Sequence, residues 1–174
     1  MKRIPLATLD YPFPHKFDAG KYNAHYLLSR VPENVVQKSI LDLLWRYHVD
    51  AIAIDAGLKT ARRKFISKAL AFGLDGTSFK GGLAELPAGH SDLAGTLAPA
   101  GRSLYIEVKA PAWIDERGKV IRSAGKPTTE QLDFLLSKYD RGAIALVAYS
   151  VDDVSEFLGK ELIANFNATR EVRR

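Results

Sequence analysis

The sequence predicts an α/β domain in which a central mixed β-sheet is flanked by helices. Apolar residues recur at helical spacing in several segments, and strand-like apolar runs alternate with those segments. The strand expected at 104–109 is followed by a helix and then by a second apolar strand. Such a unit forms a right-handed crossover, which leaves its two strands parallel.

Composition excludes several classes of protein. The chain has 174 residues, enough for one domain, and no cysteine, so disulfides and thiolate chemistry are excluded. Its four histidines lack zinc-ligand spacing. The net charge of +5 and the pI of about 9.4 suggest a polyanionic partner. The longest apolar stretch, 143–149, is too short to span a membrane, so we expect an intracellular, cytoplasmic protein without membrane association.

Residues 1–31 form the first segment, which reads as an irregular arm because prolines and a glycine interrupt any periodicity. Its aromatic residues suggest packing on its own or a neighbouring domain, with stacking on nucleic acid as the alternative. A helix is expected to begin near Pro32, since proline suits the first helical turn. Its core face would carry Val36, Ile40, Leu43, Leu44 and Tyr47.

The next segments contain a short strand at 49–55 and a basic stretch that reads as a helix. Its cations either form a solvated face or contact phosphates. The stretch 73–89 holds five glycines and gives no fold prediction. The cations are Lys59, Arg62, Arg63, Lys64 and Lys68.

The second half of the chain has clearer patterns. Strands near 90–97 and 102–110, separated by a turn, predict a β-hairpin. A polar loop is expected at 111–127 and a helix at 128–139, where the spacing of Thr and Gln predicts a capping box. An apolar strand and a terminal helix complete the domain.

Chemistry-bearing residues concentrate on the predicted hairpin. Because strand side chains alternate, Glu107 and Lys109 share one face, either as an exposed surface pair or as part of a site. Asp92 begins the preceding strand, and the hairpin can bring it beside Glu107. Two converging carboxylates require a cation or a proton, and carboxylates, a carbonyl and waters suit Mg²⁺ or Mn²⁺. Lys109 could then position a water and offset charge on a phosphate, which supports phosphodiester hydrolysis.

These residues carry a family resemblance. Asp92 followed by Glu107-Val108-Lys109 resembles the core of the PD-(D/E)XK nucleases. The wider pattern GHSDLAG, LYIEVKAP and GKPTTEQLDFLLSKYDRGAIALVAYSVDDVSEFL resembles the virus-type replication-repair nuclease (VRR-NUC) family. The resemblance implies a restriction-endonuclease-like fold. It divides the chain into an arm at 1–31, a nuclease domain at 32–159 and a C-terminal tail at 160–174.

The resemblance also implies a metal site and a catalytic set. Glu33 at a helix start equally suits the helix dipole, and Gln131 equally suits its capping box, so each has a structural alternative. The residue before the aspartate is Ser91, where the family often has proline. The implied metal ligands are Asp92, Glu107 and the carbonyl of Val108, and the implied catalytic residues are Asp92, Glu107, Lys109, Glu33 and Gln131.

The implied function is that of a Mg²⁺- or Mn²⁺-dependent DNA endonuclease of bacterial or phage origin, acting in DNA repair or recombination. Small members of the family resemble Holliday-junction resolvases, so we expect a homodimer whose twofold symmetry matches a four-way junction. The basic stretch would bind backbone phosphates. The alternatives are a flap nuclease, a restriction-type nuclease that reads base edges, and a non-catalytic nucleic-acid-binding module.

Overall fold

The computed structural model of the chain describes residues 11–54 and 89–172, so the predicted basic helix and most of the glycine-rich stretch lie outside the described residues. The described helices are a short 3-10 helix (Ala19–Lys21), α1 (Ala24–Leu28), α2 (Glu33–Arg46), α3 (Thr129–Tyr139) and α4 (Val151–Val172). The described strands are β1 (Asp50–Ala53), β2 (Leu93–Leu97), β3 (Arg102–Val108), β4 (Trp113–Ile114), β5 (Val120–Arg122) and β6 (Ile144–Ala148).

Four strands form a mixed sheet in the order β1-β2-β3-β6. Strands β2 and β3 form the predicted antiparallel hairpin, and β1 pairs antiparallel with β2. Strand β6 pairs parallel with β3, with α3 in the connection between them. The predicted mixed sheet flanked by helices is therefore confirmed.

One face of the sheet carries the larger apolar core. Leu104, Ile106 and Val108 alternate along β3 with their side chains fully or almost fully buried on this face. The amphipathic helices α2 and α4 cover it, and no helix within the described ranges is long and apolar enough to cross a membrane. The helix residues in this core include Val36, Ile40, Leu44, Val154, Leu158 and Leu162.

The second face of the sheet is covered by the N-terminal arm and by α3. Tyr11 and Phe13 of the arm pack in one cluster with Phe134 and Val147. The backbone N–H of Val147 donates to the carbonyl of Pro14 at 2.8 Å, so the arm runs along the edge strand β6. The arm therefore packs on its own domain, which is the first of the two alternatives that its sequence allowed.

Three segments differ from the sequence prediction. The arm that was expected to be irregular contains the short 3-10 helix and α1. The expected loop at 111–127 contains the antiparallel pair β4–β5, whose strands are too short to show a period of two. Helix α4 continues to Val172, so the predicted boundary at 159/160 falls inside a helix. Leu162 and Asn165 of this helix are buried, and Asn165 donates to the carbonyl of Tyr47 at 2.6 Å. Packing against the core therefore extends the domain beyond the expected boundary.

The start of α4 anchors the arm. The carboxylate of Asp153 accepts hydrogen bonds from the backbone N–H groups of Tyr149 and Ser150 at 2.7 and 3.0 Å. The hydroxyl of Tyr22 donates to both carboxylate oxygens of Asp153, at 2.9 and 2.8 Å. Burial and the Asp153 carboxylate raise the pKa of Tyr22, which keeps the phenol protonated as a donor.

We expect Tyr22→Phe to lower the free energy of unfolding by about 1–2 kcal/mol, because it removes a hydrogen bond to a charged acceptor. Urea unfolding at neutral pH measures this change. Tyr139→Phe is the matched control, since Tyr139 is exposed and its ring contact with Phe13 does not need the hydroxyl. Equal unfolding free energies for the two variants would contradict the anchoring role of Tyr22.

Candidate active site

The candidate site lies where the β2–β3 hairpin meets the start of α3. Leu93 pairs with Ile106, and this register brings Asp92, just before β2, alongside Glu107. The Oδ2 atom of Asp92 accepts a hydrogen bond from the backbone N–H of Val108 at 2.8 Å. The hairpin and this hydrogen bond therefore fix the Asp92 carboxylate at the end of β3.

Glu107 is completely buried, and Lys109 is only 8% exposed. The Oε1 atom of Glu107 accepts hydrogen bonds from Lys109 Nζ and from Gln131 Nε2. Lys109 Nζ also lies 3.1 Å from the carbonyl oxygen of Val108. The alternative of an exposed surface pair on this face of β3 is therefore wrong. The arm and α3 cover the face that carries these charges.

The surroundings of Glu107 raise the pKa of its carboxyl group. Burial, and next the nearby Asp92 carboxylate, raise its pKa from 4.5 to about 8, although Lys109 acts in the opposite direction. Desolvation and a like charge both disfavour the ionised carboxylate. Near neutral pH, Glu107 therefore holds a proton in much of the population.

Gln131 both caps its helix and contacts Glu107. The Gln131 Oε1 atom accepts a hydrogen bond from the backbone N–H of Thr128 at 2.8 Å. In return, the Thr128 hydroxyl accepts a hydrogen bond from the backbone N–H of Gln131. These two hydrogen bonds confirm the predicted capping box. The other end of the same amide, Nε2, donates to Glu107. The helix cap therefore orients the donor that faces the buried carboxylate.

The segment leading into Asp92 is held against the start of α3. Gly89 has a φ of 77°, and a Cβ there would lie 2.3 Å from the backbone carbonyl of Glu130, so only glycine fits. The ring of His90 stacks obliquely on Phe134 with 4.4 Å between centroids. Ser91 is buried, and its hydroxyl donates to the carbonyl two residues on at 3.0 Å. Sequence analysis missed this packing role of Gly89.

Helix α2 contributes a different residue from the one implied by the resemblance. Glu33 begins α2 and is exposed, and the structure shows no contact between Glu33 and the carboxylate pair. Gln37, one turn further along the same face, has its Nε2 atom 3.5 Å from the carbonyl of Asp92. The spacing of these two residues was the only sequence signal for Gln37. The implied DNA-binding residues Lys59, Arg62, Arg63, Lys64 and Lys68 lie outside the described residues.

The donor set suits a hard divalent ion. The Oε2 atom of Glu107 is buried and has no hydrogen-bond partner among the described residues. The Asp92 carboxylate is close enough to Glu107 to act on its pKa. These two carboxylates and the Val108 carbonyl are oxygen ligands of the kind that Mg²⁺ uses alongside several waters. Within 11–54 and 89–172, no three His, Cys, Asp or Glu side chains converge, so a cation here would have two carboxylates and otherwise backbone or water oxygens.

No family model, no curated protein and no solved structure matches this chain. The chemistry of the site must therefore be judged from its own residues and their geometry.

The raised pKa of Glu107 predicts how stability depends on pH. The folded protein binds one more proton than the unfolded chain between pH 4.5 and about 8, so stability falls as pH rises through this window. The slope for one proton approaches about 1.4 kcal/mol per pH unit. We expect Glu107→Gln to remove this contribution, as measured by urea unfolding in chelator at several pH values.

Glu116→Gln is the matched control for this measurement, because Glu116 is exposed on the β4–β5 turn. It should retain the slope of the unsubstituted protein. Parallel pH profiles for Glu107→Gln and the unsubstituted protein would show that folding does not raise the pKa of Glu107, contrary to this prediction.

Proposed function

We propose that this protein is a metal-dependent DNA endonuclease with a PD-(D/E)XK-type core of the VRR-NUC kind. One observation chiefly supports this function: buried Glu107 lies near Asp92 and contacts Lys109, and one of its oxygens has no hydrogen-bond partner among the described residues. Placing ionisable groups this way in a protein interior is costly, and such arrangements are concentrated at functional sites.

The proposed ligands of Mg²⁺ or Mn²⁺ are Asp92, Glu107 and the carbonyl of Val108. When bound, the ion would supply Lewis-acid polarisation of a phosphoryl oxygen and stabilisation of developing negative charge. Asp92 is held in place by the backbone N–H of Val108, and Glu107 by Gln131. These hydrogen bonds pre-orient the two carboxylates, so little reorganisation is needed at the moment of reaction.

Lys109 is the proposed catalytic residue. Its ammonium group is fixed between Glu107 and the carbonyl of Val108, next to the carboxylate pair. From this position Nζ can donate a hydrogen bond that orients the attacking water, and its charge offsets the negative charge that develops on the phosphate. Gln131 acts as a positioning residue, because it holds Glu107 rather than the substrate.

The proposed substrate is DNA, with a four-way junction as the preferred structure. The net charge of +5 favours a polyanion, and the basic stretch outside the described residues would add contacts with the backbone. A homodimer would present two sites related by a twofold axis to the two symmetry-related strands of a junction. Flap cleavage, restriction-type cleavage and binding without catalysis are the other outcomes that the test below distinguishes.

We expect Lys109→Ala to reduce the rate of junction cleavage by at least about 100-fold, because one preorganised charged donor is lost. Binding of the junction should change little, since the backbone contacts remain. The measurement uses labelled four-way junction, flap and linear duplex DNA, with Mg²⁺, Mn²⁺ or chelator. Gel-shift titration measures binding in parallel.

Lys119→Ala is the matched control, because Lys119 is an exposed lysine on the β4–β5 turn. It should cleave at the rate of the unsubstituted protein. Cleavage retained by Lys109→Ala would remove this residue from the mechanism. Junction binding by the unsubstituted protein without cleavage in either metal would favour the non-catalytic module, and a monomer in sedimentation would exclude the symmetric dimer.

A further inference from the structure

A second cationic feature lies at the opposite end of β3 from the carboxylates. An open pocket of about 330 Å³ forms between the start of β3 and the end of α3. Its lining includes the cations Arg102, Lys138 and Arg141 together with Ser103 and Tyr105, and it includes no carboxylate among the described residues. The pocket thus concentrates positive charge beside hydrogen-bond donors.

Two of these cations are held in place by uncharged partners. Arg102 Nε donates to the carbonyl of Gly142 at 2.8 Å. Lys138 Nζ lies 5.1 Å from the ring centroid of Tyr105 and 4.9 Å from that of Phe134. Neither of them, nor Arg141, forms an ion pair with a carboxylate in the described part of the chain. Their charge is therefore not neutralised within the described protein.

The helix dipole accounts for only part of this cluster. Basic residues at the end of α3, such as Lys138, suit the negative end of the helix. Arg102, however, comes from a β-strand and converges on the same pocket. The dipole therefore does not account for three cations around one cavity, whereas an anionic ligand does.

The pocket and the candidate active site share one face of the domain. Every second residue of β3 lies on the same side of the sheet, and Ser103, Tyr105 and Glu107 share one side. Ser103 at the pocket is four residues from Glu107, which corresponds to roughly 13 Å at 3.3 Å per residue. Along α3, Gln131 lies at the active-site end and Lys138 at the pocket end, roughly 10 Å apart. The rings of Tyr105 and Phe134 lie between the two sites.

We propose that this pocket binds a backbone phosphate of the DNA, a few nucleotides from the bond cleaved at the carboxylates. The inference rests on the proposed function for its substrate. Successive phosphates on one strand are about 3.4 Å apart along the helix axis and farther apart in space, because the strand winds around that axis. A straight-line separation of about 10–13 Å therefore corresponds to a few nucleotides at most. Arginine forks and a serine hydroxyl are typical phosphate donors. A free phosphate ion offers the same chemistry and is distinguished by the test.

The test measures binding of a labelled DNA duplex to the full chain, in chelator, over a range of salt concentrations. Arg141→Gln and Lys138→Met, singly and together, remove charge while Met preserves the apolar contacts of the lysine stem. Each lost phosphate contact should reduce the slope of log K against log salt by about 0.9. The double variant Lys38→Gln/Lys160→Gln is the charge-matched control, because both lysines are exposed on helices covering the other face of the sheet.

A reduced slope in the pocket variants but not in the control supports the inference, whether or not the unsubstituted protein cleaves DNA. Unchanged slopes overturn it even if cleavage is normal, as does an unsubstituted protein that binds no DNA. Titration with inorganic phosphate, followed by NMR, provides the third arm. Phosphate binding that depends on Arg141 without any change in the DNA slope would assign the pocket to the free ion and overturn the DNA inference. Because Arg141 is exposed, Arg141→Gln keeps the test decisive if Lys138→Met fails to fold.

Discussion

Two carboxylates that lie side by side in a protein repel each other, and hydrogen-bond donors around Asp92 and Glu107 offset that repulsion. The backbone N–H of Val108 satisfies Asp92, while Lys109 and Gln131 both donate to one oxygen of Glu107. The other oxygen of Glu107 has no hydrogen-bond partner among the described residues. A proton compensates the pair in part, as the raised pKa of Glu107 indicates, and a divalent cation would compensate it more fully.

The two faces of the sheet have different roles. One face packs against α2 and α4 through an apolar core, which supplies most of the buried hydrophobic surface. The other face carries the charged residues under the arm and α3. The crossover places the start of α3 at the carboxylates and its end at the cationic pocket, so a single rigid helix sets the relation between the two features.

Local sequence patterns were enough to predict the hairpin, the parallel strand pair and the capping box. Each of these features depends on residues close in sequence or on a general handedness rule. The approach of Asp92 to Glu107 followed from the hairpin in the same way. The burial of Glu107 could not be read from the strand, since it depends on the segments that pack over this face, including the start of α3. The family resemblance pointed to Glu33 at the start of α2, whereas the contact with Asp92 comes from Gln37, one turn later.

By itself, the sequence determined the order along the chain of the four sheet strands and of α2, α3 and α4. It also determined the face of β3 that carries Glu107 and Lys109, and the pairing that brings Asp92 near them. Periodicity encodes these features, because side-chain direction repeats every two residues in a strand and every 3.6 in a helix. Only the tertiary structure decided that Glu107 and Lys109 are buried, that Gln131 donates to Glu107 while capping its helix, and that Arg102 meets Lys138 and Arg141 at one pocket. These features depend on which distant segments pack together, and no local periodicity carries that information.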